Sequence, residues 1–294
     1  MEEHGITLVF EHIEINLKTF ISNNLESESN LENNNNNNTI KSLMHQLLSG
    51  VTHLHSKQIM HRDLKPDNLR ITKAGVLKIA DFGLARMCNI PVCENTHLVT
   101  SLWYRAPELL LGSTNYSTPV DIWSVGCIFG ELVNLHPLFT GTSSDLQLEI
   151  IFNNLGGTET GTGTETGTLE VEGGGRNNSN SHISSELVNL PLWESSMKSI
   201  NMNSLVSGSG SSGSGSGSGL GLGLGKGIGK GIGIGLGPKY LSLLVPTLES
   251  AGVDLLSGLL GLSPSSRLTA EGALRHRYLS DLKVVEEARY VSTI

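Results

Sequence analysis

His61-Arg62-Asp63-Leu64-Lys65-Pro66-Asp67-Asn68, then Asp81-Phe82-Gly83, then Ala106-Pro107-Glu108 are the stretches that decide how this 294-residue chain reads. From Asp63 to Asp81 they set out a carboxylate, the amine of Lys65, the carboxamide of Asn68 and a second carboxylate. Moving a phosphoryl group needs an acid oxygen beside the attacking hydroxyl, a cation near the transferred phosphate and two oxygen ligands for Mg²⁺, and these four side chains supply that set. Any one stretch could be accidental. All three in this order make accident a poor explanation.

The flanking patterns say how those residues are carried. Upstream, Ile40, Leu43, Met44, Leu47, Leu48, Val51 and Leu54 recur at i, i+3, i+4, i+7 spacing, which predicts an amphipathic helix delivering the chain to His61. Downstream, Val76-Leu77-Lys78-Ile79-Ala80 reads as a short strand with Asp81 at its end. Pro119 to Val133 carries Ile122, Trp123, Val125, Ile128, Phe129 and Leu132 on more than one face, so a helix there belongs at the centre of the molecule. Leu146 to Leu155 predicts another helix. Nearer the start, Gly5 to His12 predicts a buried strand leading into a connector, and Leu17, Phe20 and Ile21 the start of a helix. Asn33 to Asn38 is a polar homopolymer with nothing to bury, expected as a disordered surface loop.

After Leu155 the composition collapses into Thr-Glu-Thr-Gly repeats, then Ser-Gly from Ser207, then Gly alternating with Leu, Ile or Lys up to Gly237. Within this stretch only His182 to Leu205, with Leu187, Leu190, Leu192 and Trp193, could pack. The Gly-Lys tract is no phosphate loop: Gly225-Lys226 is followed by Gly227 instead of Ser or Thr. Helical patterning returns from Pro238.

Hydrophobic residues at 38% suffice for a core, and 5% aromatics is a figure diluted by the repeats. A net charge of −8 argues against a nucleic-acid-coating surface. Cys88, Cys93 and Cys127 have no metal-ligand spacing, and Cys127 sits in an apolar run, which suits a buried thiol in a reducing compartment. Glu2 and Glu3 follow Met1, so no signal sequence is expected, and no apolar stretch has membrane-spanning length. No nucleic-acid or membrane partner is expected, and the location is read as intracellular, in nucleus or cytoplasm.

The chain resembles the protein kinases and, within them, the cyclin-dependent branch. The narrower likeness rests on Asp81-Phe82-Gly83-Leu84-Ala85-Arg86, on Thr96 to Gly112 with its Trp103-Tyr104-Arg105-Ala106-Pro107-Glu108, and on Asp121-Ile122-Trp123-Ser124-Val125-Gly126-Cys127. The run Tyr116 to Gly141 is most similar to the PITSLRE-type members. The resemblance covers roughly residues 6–155 and 241–279. Family members place a Gly-rich loop, a strand-borne Lys and a helix Glu ahead of the catalytic loop. Before His61 this sequence has none of these, and its only glycines there are Gly5 and Gly50, far apart in the chain.

The resemblance therefore implies a mainly α, α+β kinase fold: the large lobe with a hinge strand and low-complexity insertions, the small lobe largely missing. Residues 1–22 would be the hinge strand and start of the lobe, 23–38 an Asn-rich loop, and 39–155 the core with catalytic and activation segments. Residues 156–237 would form a low-complexity insert and 238–294 the C-terminal helices.

It implies ATP and Mg²⁺ as cofactors and transfer of the γ-phosphate to Ser or Thr. Asp63 would accept the hydroxyl proton, Lys65 would neutralise γ-phosphate charge, and Asn68 and Asp81 would hold Mg²⁺. Phe10 falls at the gatekeeper, and Glu11 and Ile13 at the hinge that binds adenine. Thr96 matches the activating phosphothreonine, with Arg62 and Arg86 placed to receive its phosphate. Arg105 matches the residue shaping a pocket for proline after the phosphoacceptor, implying Ser/Thr-Pro substrates. Glu108 would pair with Arg267. A cyclin is an implied partner, although the helix on which cyclins chiefly dock belongs to the missing lobe.

Two departures stand out. Ser101 replaces the Thr that braces the catalytic Asp and keeps its hydroxyl, whereas Arg70 replaces an apolar residue, usually Leu, beneath adenine. Three readings stay open at this stage: a cyclin-dependent-type kinase of impaired activity, a non-catalytic kinase-derived binding module, and a fragment from an incomplete gene model.

Overall fold

The computed structural model describes residues 9–26, 33–88, 101–155, 185–206 and 238–282. Its helix α1 (Leu17–Glu26) follows a short strand β1 (Ile15–Asn16), and α2 (Asn33–Ser56) then runs to the catalytic loop. Along α2 the predicted stripe faces inward, with Ile40, Leu43, Met44, Leu47, Leu48 and Val51 all buried. The Asn-rich stretch differs from its expectation. Asn33 to Asn38 forms the first turns of α2, not a disordered loop. Once the apolar stripe has nucleated a helix, each further residue costs little to add, and Asn37 Oδ1 also accepts a hydrogen bond from Tyr278 Oη at 3.1 Å.

The expected buried strand at Gly5 to His12 is likewise corrected. Residues 1–8 lie outside the described residues, 9–14 form no regular structure, and the strand is β1 instead. Its partner sets that position. β3 (Leu69–Ile71) pairs antiparallel with β1 through Ile15–Ile71 and Asn16–Arg70, and on its other edge with β4 (Leu77–Ile79). Leu69, Ile71 and Leu77 turn to the core, so the period of two sends Arg70 to the opposite face. β2 (Ile59–Met60) and β5 (Arg86–Met87) form a second, two-stranded pair that brackets the catalytic loop.

Beyond α3 (Pro107–Leu110), the centre is α4 (Pro119–Asn134), where every residue from Val120 to Leu132 is buried. Proline at the first helical position costs no backbone bond there. Gly126 lets α9 (Ser250–Leu259) approach, because a Cβ at that position would lie 2.7 Å from Leu260 Cδ2. Helices α2 and α9 pack on α4, while α8 (Pro238–Leu244) lies against α9 and α5 (Ser144–Leu155), and α10 (Ala270–Leu274) against α2.

The stretch expected as one low-complexity insert contains an ordered piece, α6 (Ser185–Val188) and α7 (Trp193–Val206). Leu187 is fully buried and the Trp193 ring meets Phe152 edge-on at 5.9 Å. The Gly-Lys tract lies outside the described residues. No helix among the described residues is long and apolar enough to cross a membrane.

Candidate active site

The catalytic loop hangs from one buried carboxylate. Asp121, in the first turn of α4, accepts the backbone N–H groups of His61 at 2.9 Å and Arg62 at 2.8 Å, and the ring Nε2–H of His55 at 2.9 Å. This holds Arg62 at φ 67°, a left-handed conformation that costs a non-glycine residue about 1–2 kcal/mol. His61 reaches across to β4, its Nε2–H donating to the carbonyl of Ala80 at 3.0 Å while Nδ1 accepts from the Asp63 amide at 3.3 Å. The edge of Phe82 closes on the same ring at 5.0 Å between centroids.

Three of the sequence-selected residues converge here, and the fourth, Asp81, follows the neighbouring strand β4. Lys65 Nζ donates to Asp63 Oδ2 at 2.8 Å, and Asn68 Nδ2 donates to the same oxygen at 2.9 Å and to the Asp63 carbonyl at 2.8 Å. Asn68 ends a 3₁₀ turn and leads into β3, where its carbonyl accepts the amide of Ala80 at 2.9 Å. Asp81 is the next residue. Its φ of 64° turns an exposed side chain away from the strand, and its Oδ1 accepts the Gly83 amide at 3.3 Å. With Nδ2 committed, Asn68 has its carbonyl oxygen left, so the oxygen donors that Asn68 and Asp81 can offer are one amide oxygen and one carboxylate. Hard oxygen donors of this kind suit Mg²⁺.

Arg62 is buried and bonded on two sides: Nε donates to the Leu84 carbonyl and Nη1 to Tyr116 Oη, both at 2.7 Å. Its Nη2 is buried with no partner among the described residues. Arg86 stands on β5 in register with Met60, exposed, its Nη1 donating to the Ala85 carbonyl. Thr96 lies outside the described residues.

Ser101 and Arg105 line a small cavity together with Arg62, Asp63, Tyr104 and Ser124. Burial pulls the Arg105 guanidinium below its ordinary pKa, and the Asp63 carboxylate opposes that shift. Beneath the cavity Tyr104 Oη donates to Glu131 Oε2 at 2.6 Å. Burial pushes the Glu131 carboxyl up, and the tyrosine hydrogen bond opposes it.

Glu108 and Arg267 form a two-pronged pair, Nη1 and Nη2 each 2.7 Å from a carboxylate oxygen. The remaining donors of Arg267 go to the carbonyls of Gly261, Leu262 and Pro119, and the guanidinium lies 5.1 Å from the Trp123 ring. This is a fully buried pair, not a surface bridge.

The expected nucleotide-binding residues are not gathered in the same way. Phe10 is 77% exposed, Ile13 is half-buried, and the exposed Glu11 carboxylate pairs with Lys78 Nζ at 2.6 Å. Arg70 lies half-buried on the outer face of the sheet, in register with Asn16 on one side and Lys78 on the other. Residues 9–14 meet the sheet through the Glu11–Lys78 and Glu14–Lys73 ion pairs, while Val9 and Phe10 stand exposed.

Sequence reasoning gave no role to Asp121, His55 or Tyr116. The available signal was Asp121 itself, a charge in the first turn of a mostly apolar helix, which must be paired if buried. A family model described as protein kinase domain matches residues 1–279. Members of that family use ATP and Mg²⁺ and act on protein substrates. With a helix-rich large-lobe architecture and an Asp63–Lys65–Asn68 cluster at the mouth of its central helix, the chain belongs to the protein kinase family.

Proposed function

We propose that the chain is a protein serine/threonine kinase of the cyclin-dependent type, directed to Ser/Thr-Pro sites, with ATP and Mg²⁺ as cofactors. The observation that carries the reading is the convergence of Lys65 and Asn68 on a single oxygen, Oδ2, of Asp63. Both donors occupy one side of the carboxylate, so Oδ1 is the oxygen free to take the proton of an incoming hydroxyl. Lys65 Nζ, held beside it, offsets charge on the transferred phosphate, and Asn68 with Asp81 would hold Mg²⁺, which would supply charge neutralisation at the phosphates. Arg105, close enough for Asp63 to stabilise its charge, is placed to shape the pocket for the residue after the phosphoacceptor. Thr96 is the proposed phosphosite facing Arg62 and Arg86, and a cyclin the proposed partner.

The test is transfer of phosphate from Mg²⁺-ATP to a Ser-Pro peptide by the purified chain. Asp63→Asn keeps the shape and removes the base, and is expected to lower turnover by at least about a hundredfold. Equal turnover by the variant would refute the assignment of Asp63.

A second reading, a non-catalytic binding module built on the kinase fold, is favoured by the exposure of Val9 and Phe10 in the segment expected to bind adenine. It expects peptide binding with no Asp63-dependent turnover. The two readings share a prediction for Arg70. A guanidinium directly across the ladder from Lys78 is a like-charge pair, and it must lose water to any base laid on its face of the sheet. Arg70→Leu is expected to tighten Mg²⁺-ATP binding about tenfold in a calorimetric titration, roughly 1.4 kcal/mol. Unchanged or weaker binding would mean that the guanidinium turns outward and its alkyl stem serves in place of Leu.

A further inference from the structure

Gln147, on α5, is fully buried, and its carboxamide is spent entirely on backbone. Oε1 accepts the Gly141 amide at 2.7 Å, while Nε2 donates to the carbonyls of Trp103 at 3.3 Å and Phe139 at 3.4 Å. Trp103 closes the circuit by donating its indole Nε1–H to the Gly141 carbonyl at 3.0 Å. A Cβ on Gly141 would lie 2.4 Å from the Gln147 nitrogen and 2.5 Å from its Cα, so only glycine allows the two segments to approach this closely. The next carbonyl along the chain, that of Tyr104, accepts from Ser124 Oγ of α4 at 2.8 Å. Two successive carbonyls are thus pinned from two different helices. Arg105, which follows, lines the cavity containing Asp63. A leucine could fill the space under this loop without desolvating an amide, which costs about 1–3 kcal/mol for each polar group left unpaired. A buried carboxamide instead dictates where each carbonyl of the loop points.

We infer that Gln147 is a positioning residue for peptide recognition: through the Gln147–Gly141–Trp103 circuit it sets the Trp103–Arg105 segment against which a substrate peptide lies. This rests on the proposed protein-kinase reading. It adds a determinant of peptide affinity that is distant in sequence from the catalytic loop and touches neither nucleotide nor Asp63. Trp103, 38% exposed, is the part of the circuit that a peptide can reach.

The experiment measures binding of a Ser-Pro peptide to the full chain by calorimetric titration, and separately its phosphorylation. Gln147→Met keeps the length of the side chain and removes its hydrogen bonds. The peptide dissociation constant is expected to rise about tenfold, with the affinity for Mg²⁺-ATP unchanged, a loss in line with breaking buried hydrogen bonds. Trp103→Phe opens the same circuit at a half-exposed position where folding is not at stake, and is expected to weaken peptide binding in the same direction. Equal peptide affinity in wild type and Trp103→Phe, or parallel loss of peptide and nucleotide affinity in Gln147→Met, would overturn the inference. Wild-type peptide binding without turnover would sink the kinase reading and leave the inference standing if the variants still bind more weakly.

Discussion

Arg267→Leu is expected to destabilise the fold by about 3–5 kcal/mol, because it strands one member of a buried ion pair. In the native chain Arg267 uses its fork on Glu108 and its other donors on the carbonyls of Gly261, Leu262 and Pro119. Removing it leaves the Glu108 carboxylate, 3% exposed, with neither water nor a counter-ion. Lowering the midpoint of thermal unfolding by on the order of 10 °C would correspond to that loss for a domain of this size. The double change Glu108→Leu with Arg267→Leu removes both charges and is expected to recover a good part of the stability, since a buried pair contributes little net once its desolvation is counted. A single variant that loses under about 1 kcal/mol, or a double variant no better than the single, would show that the pair is solvated in solution.

Asp121→Ala is expected to have the second large effect, and a different one in kind. The buried backbone amides of His61 and Arg62 lose their acceptor, at about 1–3 kcal/mol each. The left-handed turn at Arg62 is then no longer held, so the loop that places Asp63, Lys65 and Asn68 relaxes. Hydrogen exchange should accelerate first at His61 and Arg62, ahead of the α4 core. Asp121→Asn retains one acceptor oxygen and should lose less. Unaltered exchange at those amides in the Ala variant would rule out Asp121 as the anchor of the loop.

Much of this arrangement was legible in the residues. The spacing of Ile40 to Leu54 announces α2, and the all-round apolarity of Ile122 to Leu132 announces the central helix. Both are local patterns, readable because a helix brings residues three and four apart together. The proposed catalytic set was put forward for the same reason: Asp63, Lys65 and Asn68 are near neighbours in the chain, and Asp81 sits at the end of a short strand.

What was misread depended on partners distant in sequence. Asn33 to Asn38 has no helical signal of its own and is helical because α2 propagates into it, with Tyr278 meeting Asn37. Gly5 to His12 has the composition of a core strand, yet Phe10 stands exposed because no described element packs over it. Residues 182–205 read as the piece amid the repeats able to pack, and the structure shows Leu187 in the core.

The sequence by itself determined the family and put forward Asp63, Lys65, Asn68 and Asp81 as the proposed catalytic side chains, because motif and period are local properties of a chain. Only the tertiary structure decided that Asp121 holds the loop, that Arg267 is buried in its pair and that Gln147 reaches Trp103. Those contacts join residues 60, 159 and 44 positions apart. A hydrogen bond or a buried ion pair at such separation is specified by the packing of whole helices, and leaves no spacing in the sequence from which it could be read.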